Sequence, residues 1–583
     1  MVKWNLEHIY KFKETDKLLN TLKNKVKKFE QHRSKLTEDI SQKDFMKILK
    51  EYEEIYLLSS KLSGYPHLWL SENTADSKRL SHVSKIDEIL TDMGNQIMFF
   101  GLWLKEISDK KAEELIKGSG KYGYYIKEKR LFKDHTLKEN EEKILNIKSL
   151  TGGDALVKLY DIITNKFRYD WNGKKISGSE LRQYVYSSDP KIREKCYRTL
   201  LGKYGEESAS LGELYKSLVN DYKNENIKLR KFSNPISVRN LSNDISDSIV
   251  ESLFNVLRKN IHLFQEYFKL KAKLLGMKKL RRFDFYAHYK MKERKYSYEE
   301  AKKITLDVYK SLSPEAYKCV TKIFNEKHVH SDLTDNKQNG AFCSSIHVGL
   351  TPYILLNHTG TLNDVFTMVH EFGHGLHSLT AKDQTPFTFH SSIPMAETAS
   401  IFGEMLLYEK MLSKMSDKEK ATLLVTLIDD EYASIIRQGY FALFEKTAHD
   451  MIAKNATVEE LDIAYFQNLK EQFGESVDLD EIFKHEWKYI PHLYHWPFYV
   501  YAYVFGNLLV LALFKLYKQE GKTFVPKYMR ILAAGGSDSP VNILKKEGIY
   551  IYSEKFWQGG FDIIKDQIEM LNNLVEKENK KKK

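Results

Sequence analysis

The sequence predicts a mainly α-helical protein, of two or more lobes or one large continuous α-domain, with one small β element. Apolar residues recur at three- and four-residue spacing through most of the 583 positions. Pro (11) and Gly (29) are too scarce for a turn-rich β fold. The length exceeds the roughly 250–300 residues that one hydrophobic core usually serves.

Residues 1–190 read as successive amphipathic helices. "DFMKILKEYEEIYLLSSKLSGYPHLWL" and "SHVSKIDEILTDMGNQIMFFGLWLKEI" carry the helical period, and "GSGKYGYYIKEKR" and "SLTGGDALVKLYD" punctuate it. Ser and Asp-Pro in "ISGSELRQYVYSSDPKIREKCYRTLL" mark helix starts. Long helices continue to about residue 330. The texture changes in "NGAFCSSIHVGLTPYILLNHTG" (339–360), where Gly, Ser, β-branched and aromatic residues predict one or two short strands. Helices resume at 361. The uncharged stretch from Trp496 to Phe514 is 19 residues long, the minimum for a membrane span, but it contains Pro497, Gly506 and Asn507. A buried core helix is the expectation there. The tail "EKENKKKK" (Glu576 to Lys583) is expected to fray.

The charge excess is 91 − 79 = +12, and basic residues outside the tail are interleaved with acids. That pattern suits solvated helix faces, with no nucleic-acid and no membrane partner expected. Three widely spaced cysteines, Cys196, Cys319 and Cys343, odd in number and without a CxxC, argue against a disulfide framework or a thiolate metal site. With no apolar run of signal-peptide length in "MVKWNLEHIYKFKETDK", a reducing, cytoplasmic location is expected.

The densest chemistry lies in "TLNDVFTMVHEFGHGLHSLT" (361–380). Wound at 100° per residue, Leu362, Val365, Val369, Phe372, Leu376 and Leu379 form one stripe. His370, His374 and His377 fall opposite, with Glu371 beside them. Thr361 and Asp364 suit a capping box. H-E-x-x-H on a helix sets two imidazoles one turn apart, able to share one Zn²⁺, with the Glu next to them. Two helix histidines that only hydrogen-bond are the plain alternative. A catalytic zinc usually takes a third protein ligand. "SSIPMAETASIFGEMLLYEKML" supplies Glu397, which lies 397 − 370 = 27 residues after the first His, in a helix expected to begin after Pro394. Glu404 shares its face and suits a hydrogen bond to a ligand histidine. His377 suits packing or hydrogen bonding. Gly373 and Gly375 have no explanation at this level.

These residues resemble those of oligoendopeptidase F, within the thimet-oligopeptidase-like zinc metallopeptidases. The resemblance runs through "GLTPYILLNHTGTLNDVFTMVHEFGHGLHS", "AETASIFGE", "IIRQGYFALFEKTAHD", "IPHLYHWPFYVYAYVFG" and "LAAGGSDSPVNILKKEGIYIYSEKFWQGGFDII", in that order. It is diffuse over the N-terminal helices. It implies two helical lobes around a deep channel, a small β-sheet beside the zinc-binding helix, one zinc per chain and endopeptidase action on short peptides. The segments follow as an N-terminal helical region (1–190), a zinc metallopeptidase domain (191–570) and a basic tail (571–583). The metal ligands implied are His370, His374 and Glu397. Glu371 is implied as general base to a metal-activated water. His492, Tyr499 and Tyr503 are implied to face the scissile carbonyl, and Tyr501 to point away into packing. "LYHWPF" departs from the family's usual Tyr-Thr pair, which leaves Tyr494, His495 and Trp496 without an assigned role. The strand near 342–348 suits pairing with an extended substrate. Cys343 within it is either exposed to thiol reagents or an inert buried thiol. The rival readings are a zinc carboxypeptidase, which needs a carboxylate-binding Arg, and a non-catalytic peptide-binding protein, against which an intact Glu371 argues.

Overall fold

The computed structural model describes residues 3–287, 289 and 294–582. The chain is 73% helical, so the mainly α expectation holds. The described strands are short: β1 (Tyr169–Trp171), β2 (Lys174–Ile176), β3 (Leu280–Arg281), β4 (Val329–His330), β5 (Phe342–Ser344), β6 (Tyr353–Leu355) and β7 (Val477–Asp478). The chain forms two compact units, each assembled from three stretches. The first contains Met1–Lys133, Glu293–Met411 and Leu516–Ile549; the second contains Asp134–Lys292, Leu412–Lys515 and Tyr550–Lys583. Neither coincides with 1–190 or 191–570.

In the first unit, helices Thr15–Glu30, Gln42–Ser71 and Ser77–Glu106 pack together. Ser41 and Asp76 cap the second and third by accepting backbone N–H bonds in the first turn. Their core, including Leu22, Phe29, Phe45 and Phe100, extends to Tyr353 and Leu355 of β6. The sheet order is β4-β6-β5, with β4 parallel and β5 antiparallel to β6. The motif helix, Leu362–Thr380, lies against β5 and β6. Thr361 and Asp364 form the expected capping box, with Asp364 accepting from the Thr361 N–H at 2.9 Å. Val365, Val369, Phe372 and Leu376 are fully buried, and Phe324 stacks on Phe372 at 4.2 Å. Helices Tyr298–Leu312 and Pro314–Asn325 support the motif helix, where Tyr309 donates to the Val369 carbonyl at 2.6 Å.

In the second unit, helices Pro190–Glu206, Ser208–Tyr222, Gln438–Ala453 and Val458–Phe473 surround Trp487 and Tyr494. Of the uncharged stretch, Tyr501 to Phe514 lie in the mostly buried helix Tyr501–Glu520, whereas residues 496–500 form a turn that leaves Trp496 exposed. No helix among the described residues is long and apolar enough to cross a membrane. The last helix, Glu554–Lys582, continues through the tail expected to fray. Leu571 and Val575 are buried, which holds the helix past residue 570.

Candidate active site and metal centre

The motif helix presents His370 and His374 on one face, and the chain then turns back towards them. A short helix, Ile393–Ala396, begins with Pro394 in its first turn. Glu397 was expected inside a continuous helix after Pro394. Instead it occupies a break (φ −84°, ψ 2°) before the crossing helix Thr398–Leu412. The break lets its side chain turn towards the histidines while Glu404 stays on the helix beyond.

The Nε2 atoms of His370 and His374 lie 3.2 Å apart. Glu397 Oε2 lies 3.3 Å from the first and 3.5 Å from the second. Ligands about 2.0–2.1 Å from a tetrahedral Zn²⁺ stand about 3.3 Å from one another, so this donor set fits a zinc ion. The outer contacts fit as well. Glu404 Oε1 lies 2.5 Å from His370 Nδ1, which turns Nε2 towards the centre. Ser400 donates to Glu397 Oε2 at 2.7 Å.

Electrostatics follow from this packing. Burial works against a charged His370, but Glu404, Glu397 and Glu371 outweigh it and raise its pKa to about 9. Burial lowers that of His374. Burial also opposes ionisation of Glu397, yet His374, His370 and Ser400 hold it below the usual carboxylate range. Glu371 is 7% exposed, and burial, reinforced by Glu397 and Glu404, raises it to about 7. A carboxylate poised near neutrality suits proton transfer in both directions. His377 is buried and pushed down to about 4 by desolvation, so it is neutral near pH 7 and belongs to the packing of the helix.

A cleft of about 450 Å³ opens over this centre, lined by Phe342, Cys343, His370, Glu371, His374 and His390 among others. β5 is an edge strand of its sheet and pairs only with β6 there. Burial holds the Cys343 thiol well above its usual range, so it is a poor thiolate.

His492, Tyr499 and Tyr503 belong to the second unit and are brought together there. Ring centroids are 6.4 Å apart for His492 and Tyr499, 6.1 Å for His492 and Tyr503, and 5.4 Å for the two tyrosines. Both tyrosines are half-buried. Tyr501 is fully buried, and its hydroxyl accepts from Asn243 at 2.8 Å, in line with a packing role. Phe498 makes the sharp turn between His492 and the tyrosines, at φ +57°, with its N–H donating to the buried Glu445 at 2.8 Å. Burial, then His495 and Arg437, lower the pKa of His492. Tyr494 stacks on Tyr160 at 3.8 Å, and His495 lies 2.9 Å from Asp161, so both have structural partners.

A model of peptidase family M3 matches residues 183–563. The chain belongs to peptidase family M3. A second model, Oligopeptidase F, matches residues 103–169 of this family M3 chain, where the resemblance was only diffuse. The oligoendopeptidase F homolog of Borreliella burgdorferi is 28% identical and covers 98% of each chain. Oligopeptidase PepF of Bacillus subtilis is 25% identical over 98% of this chain and 87% of its own. Among solved structures, oligoendopeptidase-F from Enterococcus faecium superposes with a TM-score of 0.72 at 22% identity, covering 97% of this chain and 99% of its own.

In this family M3 peptidase, sequence reasoning passed over His390 and the "AAGG" turn. His390 lines the cleft, and burial lowers its pKa. Gly536 donates its N–H to the Thr388 carbonyl at 2.9 Å, and a Cβ there would meet the His390 carbonyl oxygen at 2.3 Å. The glycine pair in "LAAGGS" is the one local signal that another backbone passes this close.

Proposed function

We propose that this peptidase is a zinc-dependent endopeptidase of short peptides. The observation that carries the reading is the convergence of His370, His374 and Glu397 at separations of 3.2–3.5 Å, with Glu371 on the adjacent helical position. Zinc held there would lower the pKa of water towards ~7 and polarise a peptide carbonyl. Glu371 takes the proton from the attacking water and passes it to the leaving amine. His492 and Tyr499 or Tyr503 donate to the developing oxyanion, where losing one donor typically costs ~10²–10³ in rate. The free edge of β5 pairs with extended substrate backbone, which gives affinity that depends little on side chains. The names of the relatives, oligoendopeptidase and oligopeptidase, support internal cleavage of short chains. Three free thiols suit a reducing compartment, and the cytoplasm is the proposed location.

The test is cleavage of a short peptide blocked at both ends, with chelator, zinc add-back and an intact folded protein as control. Cleavage is expected to stop with chelator, return with zinc and spare the folded protein. A carboxypeptidase would leave the blocked peptide whole. Glu371→Gln is expected to keep zinc and lose at least ~10³ in turnover. Wild-type turnover in that variant would remove Glu371 from the base role.

A further inference from the structure

A second cluster of metal-ligating side chains lies apart from this centre. His8, Glu326 and His328 each place a ligand atom within 4.8 Å of the other two. We propose that these three residues form a second binding site for a divalent metal of the zinc class.

The local fold builds the cluster. Helix Pro314–Asn325 ends at Glu326, and Lys327 takes a left-handed conformation (φ +58°), which turns His328 back into the unit at the start of β4. His328 is fully buried and stacks on Tyr353 at 3.9 Å, with planes 12° apart. Its Nδ1 donates to the Thr351 carbonyl at 2.9 Å. That bond leaves Nε2 as the lone-pair nitrogen and fixes its direction, as a backbone carbonyl does for metal-bound histidines generally. His328 Nε2 points at His8 Nδ1, 2.7 Å away. The segment carrying His8 is registered on the same sheet: the Asn5 N–H donates to the Lys327 carbonyl at 3.0 Å, and Tyr353 donates to the Asn5 carbonyl at 2.8 Å.

Without metal, one proton joins the two imidazoles. Two nitrogens on a common zinc would stand about 3.3 Å apart, about 0.6 Å wider than the 2.7 Å at which they stand. His8 is exposed, so its ring can supply that movement while His328 stays fixed. On metal binding, the His8 N–H moves from Nδ1 to Nε2. There the Asn5 side-chain amide lies 3.1 Å away, and turning its oxygen to accept that proton would exchange the cap it now makes to the Glu7 N–H at 3.1 Å. Glu326 is 36% exposed and brings the negative charge; its Oε1 lies 3.8 Å from Lys322 Nζ, a half-exposed ion pair that metal binding would displace. Two imidazoles and one carboxylate favour zinc, cobalt or nickel over calcium or magnesium. Binding would clamp the Asn5–His8 segment to β4, in the sheet against which the motif helix packs.

The experiment uses the full chain, stripped of metal and titrated with Zn²⁺ against a chromophoric chelator. Wild type is expected to bind two equivalents and His374→Ala one. In the His374→Ala background, that remaining zinc is expected to raise the thermal midpoint. His8→Ala or Glu326→Gln is then expected to weaken it at least tenfold and abolish the midpoint shift. The proposal is overturned if the His374→Ala chain binds no zinc, or if neither change alters its affinity. Wild type binding a single equivalent, lost with His8→Ala, would keep this site and overturn the first centre instead.

Discussion

A methyl group on Gly373 would meet the Ser400 Cα at 2.4 Å and the Ala399 carbonyl oxygen at 2.6 Å. Both atoms are backbone of the crossing helix and cannot swing aside. Glycine at 373 therefore sets how closely that helix crosses the motif helix, and so where Glu397 and Glu404 meet His370 and His374. At Gly375 the added methyl would meet Ile323 Cδ1 at 2.5 Å, the free end of a flexible side chain. The two positions look alike in "HEFGHGLH" and should behave differently. Gly373→Ala is expected to weaken zinc binding by ~10–100-fold and to cost about 1–3 kcal/mol of stability. Gly375→Ala should stay within about 1 kcal/mol of wild type, because better helix propensity offsets the crowding. Chelator competition and urea unfolding of both variants test this. Equal zinc affinity in Gly373→Ala and wild type would show that the crossing has slack.

The turn at Pro497–Tyr499 depends on helix Gln438–Ala453, which supplies Glu445. This carboxylate is fully buried, and burial raises its pKa to about 8, with the Phe498 N–H as a partial counterweight. In the unfolded chain it titrates near the ordinary glutamate value of 4.5. Between those pH values the folded state holds a proton that the unfolded state has lost, so stability falls as pH rises, by at most about 1.4 kcal/mol per pH unit for this group. Below both values the contribution is constant. Glu445→Gln keeps an oxygen for the Phe498 N–H and removes the titration. Its advantage over wild type in urea unfolding is expected to grow from pH 5 to pH 8; parallel pH profiles would sink this account. The sequence made other elements legible to different depths. The motif helix was readable because its stripe and its Thr361–Asp364 cap are local. Glu397 was readable through its block, but the helix break that aims it was not, since no Gly or Pro stands at Glu397 to mark it. The left-handed Phe498 was equally hidden, because the group that holds it is 53 residues away in sequence. Gly373 and Gly375 were visible as letters, but what they touch is set by helices folded from other stretches.

At the scale of the whole chain, the interleaving of the two units constrains what can fold alone. Residues 1–133 belong to the same unit as the motif helix, although the M3 model begins at residue 183. The apolar core of the N-terminal helices includes Tyr353 and Leu355 of β6, both 0% exposed, with Phe342, Ile346, Leu350 and Phe387 packed against it. One face of the sheet beside His370, His374 and Glu397 is thus covered by residues far outside that match. Removing residues 1–133 would uncover Tyr353 and Leu355, at roughly 1.5–3 kcal/mol each, together with the partly buried side chains around them. Native stability is typically about 5–15 kcal/mol, so this loss is comparable with the whole. A fragment of residues 134–583 is therefore expected to be insoluble, or to lack a cooperative unfolding transition and retain no stoichiometric zinc. Soluble expression, thermal unfolding followed by circular dichroism, and metal analysis after dialysis measure the three properties. A fragment that unfolds sharply and keeps one zinc would mean that β4, β5, β6 and the motif helix form a self-sufficient core, and that the N-terminal helices are a cover the chain can lose.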